Sequence, residues 1–194
     1  AVLPVQEINA TIRELRRVAK KGFKAAFIRP LFVKDRFPHH PYYYPMWQEL
    51  EDLGLVYCSH PSWGYSAPEM DTEATFVERV MADSFTGHPM AEVVAPAMDN
   101  GVLLVGMMAD GLLEKFPKLK FAFDHSKASW LHLFLEKTEG YLGLSNQATP
   151  VSLSPDKVFF SRSTLVNFSA SESAIWELYD LFENVGSWGS FYPN

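Results

Sequence analysis

Phe116-Pro117-Lys118-Leu119-Lys120-Phe121-Ala122-Phe123-Asp124-His125 decides how this chain is read. The stretch holds the end of a helix, a proline that stops it, a short loop and an apolar run closed by a histidine. The run is too short and too aromatic for another helix, so it predicts a buried strand. Leu55-Val56-Tyr57-Cys58-Ser59-His60 repeats the design. Strand-helix folds place their chemistry on polar side chains at the carboxyl ends of buried parallel strands. Two strands that both end in histidine predict two imidazoles converging on one site.

Working outward, helix and strand patterns alternate. Ala1–Val5 reads as a strand and Ile8–Lys21 as a helix, with Ile12, Leu15, Val18 and Ala19 at helical spacing, Asn9 as its cap and Gly22 as its stop. Arg13, Arg16, Arg17, Lys20 and Lys21 read as a solvated helix face rather than an anion site. Phe23–Arg29 is a strand with Arg29 at its end. Leu31–Pro45 is a long loop in which His39 and His40 read as solvated, and Tyr43–Leu53 is a helix closed by Gly54.

After Leu55–His60 the chain turns at Pro61-Ser62-Trp63-Gly64. Thr75–Ala82, Met90–Asn100 and Val102–Phe116 look helical, the first two separated by Gly87-His88-Pro89. Lys120–His125 is followed by a helix over Ser129–Leu142, a polar linker over Asn146–Ser154, a strand at Thr164–Phe168, a helix over Ser171–Asn184 and a strand at Val185–Ser190. Period-two alternation puts Val56, Cys58 and His60 on one face, and Asp124 opposite His125. Cys58 and His132 read as structural, and Asp124 as a structural partner rather than a catalyst. Six strand-helix units predict an α/β protein with a parallel sheet, either open or closed into a barrel.

The bulk numbers narrow the function. The 194 residues suffice for one domain with a real core. Lys and Arg number 17 against 23 Asp and Glu, a net charge of -6 that argues against nucleic acid as the main partner. The lone cysteine cannot form an internal disulfide, which points to a reducing, cytoplasmic setting. No apolar run approaches the roughly 20 residues that span a bilayer. The opening Ala-Val-Leu-Pro-Val and the closing Gly-Ser-Phe-Tyr-Pro-Asn both look like core strands, so residues 1–194 are expected to be a single but incomplete domain.

Four stretches, in order, resemble the amidohydrolase-related family, in the branch of aminocarboxymuconate-semialdehyde decarboxylase and the resorcylate decarboxylases. They are Glu14-Leu15-Arg16-Arg17 through Gly22-Phe23-Lys24; Tyr44-Pro45 to His60-Pro61; Gly111-Leu112-Leu113-Glu114-Lys115-Phe116-Pro117-Lys118-Leu119 through His125; and Val185-Gly186 to Gly189-Ser190-Phe191-Tyr192-Pro193. The resemblance implies a (β/α)8 TIM-type barrel of which this chain carries the third to eighth strands. It implies His60 as a ligand of a divalent metal, Zn²⁺ first and Mn²⁺ second, and His125 as the residue that handles protons. Arg29, at a strand end, is a candidate either for holding a substrate carboxylate or for an interior salt bridge, and Trp63 either for lining a pocket or for an interface. The implied activity is metal-dependent hydrolysis or non-oxidative decarboxylation of a small carboxylated or cyclic substrate, with homo-oligomerisation by family analogy.

The chain departs from that family in three places. It has no His-x-His pair, Phe191 stands where the family has a metal-binding Asp, and His125-Ser126-Lys127-Ala128 replaces a His-x-Gly-Gly run. A second expectation is therefore a catalytically inactive barrel that serves in binding or assembly.

Overall fold

The computed structural model describes residues 1–30, 32–61, 88–144 and 155–190. In chain order these form α1 (Ile8–Lys20), β1 (Ala25–Ile28), a 3₁₀ turn (Pro41–Tyr43), α2 (Tyr44–Leu53), β2 (Val56–Ser59), α3 (His88–Ala109), α4 (Leu112–Lys115), β3 (Lys120–Phe123), α5 (Trp130–Leu144), α6 (Pro155–Phe160), β4 (Thr164–Phe168), α7 (Ser173–Glu177), α8 (Tyr179–Phe182) and β5 (Gly186–Trp188). All five strands are parallel and lie side by side in sequence order. Neighbours in the chain are neighbours in the sheet, and each crossover carries helix. This is the order of a TIM-type barrel wall, not of an open sheet whose strand order reverses.

Alternate side chains separate the two faces of the wall. Tyr57, Phe121, Phe123 and Val166 are buried beneath the helices. Trp47 of α2 packs on Tyr57 with ring centres 4.8 Å apart, and Phe123 meets Trp130 of α5 at 5.5 Å and Phe159 of α6 at 6.1 Å. Each such aromatic contact adds about 0.5–1.5 kcal/mol beyond the area it buries. Val56, Cys58 and His60 share the opposite, half-buried face, as the period of two requires.

The Phe-Pro-Lys-Leu stretch is anchored by a distant cation. Arg162 donates from Nη2 to the Leu113 carbonyl at 2.9 Å, from Nη1 to that of Phe116 at 3.1 Å and from Nε to that of Val158 at 3.0 Å. One guanidinium thus satisfies the carbonyls that end α4 and α6. Its burial lowers its pKa. On the other side of Pro117, the Lys118 amide donates to Glu51 Oε1 at 2.6 Å.

Several elements differ from the reading of the sequence. Ala1–Val5 is not a full strand; Val2 makes a parallel bridge to Phe27, and the Leu3 amide donates to the Phe27 carbonyl at 3.2 Å. Glu7, not Asn9, caps α1. The basic face of α1 behaves as expected: Arg16 forms a two-pronged pair with Glu49, and Arg17 with Glu14.

Helix α3 runs unbroken through Gly101, and the break falls instead at Gly111, which takes φ +65°. Gly101 serves packing instead: it lets α3 lie against the Phe134 ring, which stands 2.4 Å from where a Cβ would be. The helix expected over Ser171–Asn184 divides at Leu178 (φ -115°, ψ 38°) into α7 and α8, and α6 was not foreseen. His39 is not solvated. It lies against Gly106 of α3, stacks on Phe37 with ring centres 5.6 Å apart, and its Nε2 is 3.7 Å from Asp110. His132 is half-exposed beside Glu136 on the surface of α5. The expected helix at Thr75–Ala82, the linker at Asn146–Ser154, Trp63 and Phe191 lie outside the described residues.

Candidate active site

The site is built where β2 and β3 end. The ladder between them closes with the Asp124 amide donating to the Ser59 carbonyl at 2.8 Å. The register pairs Ser59 with Phe123, so His60 stands level with Asp124 and His125 follows one residue farther along. Beyond this point His125 adopts φ +58° and Lys127 φ +57°. A left-handed conformation costs a non-glycine residue roughly 1–2 kcal/mol and recurs at functional sites. Here it breaks the alternation of the strand, so that His125 turns back to the side of the wall on which His60 lies. The two imidazoles stack, with centres 4.6 Å apart and planes inclined by 13°. Phe27 covers the other side of His60 at 5.3 Å.

His60 is oriented by its own backbone. Its Nδ1 lies 2.7 Å from the Pro61 carbonyl, which selects the tautomer with the proton on Nδ1 and leaves Nε2 with a free lone pair. Metal-binding histidines are characteristically held this way. Among the described residues, no three His, Cys, Asp or Glu side chains are grouped to hold a metal. The pair fits a metal site only as part of a donor set.

Asp124 lies on the half-buried face, where its carboxylate accepts from Cys58 Sγ at 2.7 Å and from Asn167 Nδ2 at 3.2 Å. Burial, reinforced by the neighbouring carboxylate, pushes the Cys58 thiol up to about 12, so it stays protonated and donates. A thiol held in that state is no nucleophile. Gly189 lets β5 pass close to this cluster, since a Cβ there would fall 2.2 Å from Asn167 Oδ1.

Two residues that the sequence did not single out as functional hold the loop around His125. Asn100, fully buried in α3, hydrogen-bonds to Ser59, Asp124 and Ser126. Glu172, also buried, follows β4. Its Oε1 accepts from the Ala128 amide at 2.9 Å, the Ser129 amide at 3.0 Å and the Ser129 hydroxyl at 2.7 Å, while Oε2 accepts from the Ser169 amide at 2.8 Å. Asn100 has no local sequence signal, because its partners lie more than 20 residues away. For Glu172 the one local cue is the Ser169-x-x-Glu172 spacing of a capping box, while its bonds to Ala128 and Ser129 span more than 40 residues. Arg29 follows β1 and lines a small cavity with Val5, Ile28, Val33, Pro38, Tyr43 and Met46. That cavity contains neither histidine.

A parallel wall in sequence order, with polar side chains gathered at its carboxyl-terminal rim, is the architecture of a strand-helix barrel. Residues 1–141 match the amidohydrolase family, and the chain belongs to it. The gamma-resorcylate decarboxylase of Rhodococcus jostii (strain RHA1) is 28% identical over 141 residues, covering 64% of this chain and 37% of that protein. The structure of the 5-carboxyvanillate decarboxylase LigW from Sphingomonas paucimobilis is similar at a TM-score of 0.68 and 20% identity, over 95% of this chain and 52% of that one. A dihydroxybenzoic acid decarboxylase from Polaromonas sp. JS666, solved with manganese and 2-nitroresorcinol, superposes at a TM-score of 0.72 and 17% identity, over 100% of this chain and 57% of that one. The chain thus spans a third to three fifths of the length of these relatives.

Proposed function

We propose that the protein is a metal-dependent carboxy-lyase acting on a small carboxylated aromatic acid. The observation that carries the proposal is the stacked His60–His125 pair at the ends of adjacent strands. The relatives support the reaction type, since those named above are decarboxylases. They favour decarboxylation over the hydrolysis that the sequence left open.

His60 would hold the cation through Nε2, the nitrogen not engaged by Pro61. A bound divalent cation would supply Lewis-acid polarisation of the substrate's oxygens. His125 would carry the proton. As the bond between the ring and its carboxylate breaks, the electron pair stays on the ring carbon, His125 protonates that carbon, and carbon dioxide leaves. Arg29 remains the candidate for the substrate carboxylate and Trp63 for the pocket wall, each open to substitution. Imidazole ligation suits Zn²⁺, whereas the manganese of the Polaromonas enzyme supports Mn²⁺. A homo-oligomer and a cytoplasmic setting belong to the same reading. No observation favours the inactive barrel.

The test uses purified protein, metal analysis and carbon dioxide release from 2,6-dihydroxybenzoate and 5-carboxyvanillate. About one equivalent of metal is expected, lost together with activity in His60→Ala. In His125→Ala the metal should stay while kcat falls by about 10²–10⁴-fold. A metal-free protein that still releases carbon dioxide would refute the proposal.

A further inference from the structure

Asn100 lies within α3, with no measurable exposure to solvent. Its Oδ1 accepts from Ser59 Oγ at 2.6 Å. Its Nδ2 donates to Ser126 Oγ at 2.8 Å and to the Asp124 carbonyl at 3.3 Å. Both amide hydrogens and the carbonyl are therefore used, which is what a buried carboxamide requires to escape a penalty.

The partners are not scattered. Ser59 immediately precedes His60, and Asp124 and Ser126 stand on either side of His125. A single side chain thus grips the neighbours of both imidazoles, through the Ser59 and Ser126 hydroxyls and the Asp124 carbonyl. It does so where main-chain sheet pairing stops, because the last bond of the ladder joins Asp124 to Ser59. Past that bond His125 sits in a left-handed conformation, which costs a non-glycine residue free energy. An apolar residue in α3 would fill the same space; only an amide can make these three bonds.

We propose that Asn100 is the positioning residue that sets the spacing and stacking of His60 and His125. The proposal rests on the reading of that pair as the working pair of the site, and it assigns α3, a helix outside the sheet, a direct part in the geometry of the rim. Removing the amide leaves the segments beyond the Asp124–Ser59 bond without their shared tie to α3, and the His125 ring leaves its place over His60.

The test uses the whole protein with ¹³C-labelled histidine. The wild type should show a nuclear Overhauser cross-peak between the two rings, as their 4.6 Å separation requires. In Asn100→Ala this peak should vanish, while circular dichroism stays native and the Phe27–His60 cross-peak remains. Decarboxylation should lose about 10²-fold in kcat at near-constant KM, the cost of misplacing a group by about an ångström. If Asn100→Ala does not fold, Ser59→Ala and Ser126→Ala each cut one side of the clamp and should each weaken the inter-ring peak. An inter-ring peak of wild-type strength in folded Asn100→Ala, or in both serine variants, overturns the proposal. If the wild type releases no carbon dioxide yet the peak is lost in the variant, the functional reading fails and the positioning role stands.

Discussion

Substituting Glu172 should destabilise the protein well beyond the usual surface range. Its carboxylate accepts four hydrogen bonds while only 7% of the residue is exposed. A hydrogen bond to a charged group contributes about 1.5–3 kcal/mol, but four such values do not add, since freed donors find other partners. The Ala128 amide lies in a fully buried bond and would be left unsatisfied at about 1–3 kcal/mol. The Ser129 and Ser169 donors are partly exposed and reach water, costing about 0.5 kcal/mol each. Glu172→Ala should therefore cost about 2.5–4.5 kcal/mol. Glu172→Gln should cost less, about 1–2 kcal/mol, because it preserves the acceptor for Ala128 and Ser129 but turns an amino group toward the Ser169 amide. Urea unfolding followed by circular dichroism gives both values, and amide exchange at Ala128 and Ser129 should accelerate in the Ala variant. If Glu172→Ala lies within about 0.5 kcal/mol of wild type, the range of ordinary surface substitutions, the ledger is wrong.

Cys58, with its thiol held at about 12, should react with iodoacetamide at pH 8.5 far more slowly in the native protein than in urea; equal rates would contradict the bond to Asp124. Burial lowers the pKa of His39 against the opposing pull of Asp110, so the folded state binds fewer protons than the unfolded chain. The stability it contributes is complete above the ordinary histidine value of about 6.5 and is lost as pH falls below it. The urea midpoint should thus decline between about pH 7 and 5.5, and His39→Gln should flatten that decline; superimposable slopes would refute the assignment.

The strands and the meeting of the two histidines were legible in the sequence, because apolar runs ending in a polar residue are local patterns. Alternation pointed to a parallel sheet, either open or closed, and the family resemblance pointed to the TIM-type order. What escaped notice was long-range. Nothing about Asn100, set among Met98, Gly101 and Val102, marks it as the partner of two rim serines. Leu178 looks like a good helix former, yet the packing of α7 and α8 divides the helix there. His39 reads as a loop residue until Gly106 offers it a place. The left-handed turn at His125 is also invisible to a rule of alternation, which by itself predicts only that Asp124 and His125 point apart.

The strand order has a bearing on how the molecule is made. Because every strand pairs with the one synthesised just before it, a chain emerging from the ribosome can add each new strand to a template already in place, without waiting for a distant partner. Arg162 is the exception, since it comes late and ties down carbonyls laid down some fifty residues earlier. Until it arrives, the Leu113 and Phe116 carbonyls lack that partner and the Phe-Pro-Lys-Leu corner has only its Glu51 side tied down, so ribosome-bound chains stopped short of Arg162 should be the ones most readily nicked there by protease.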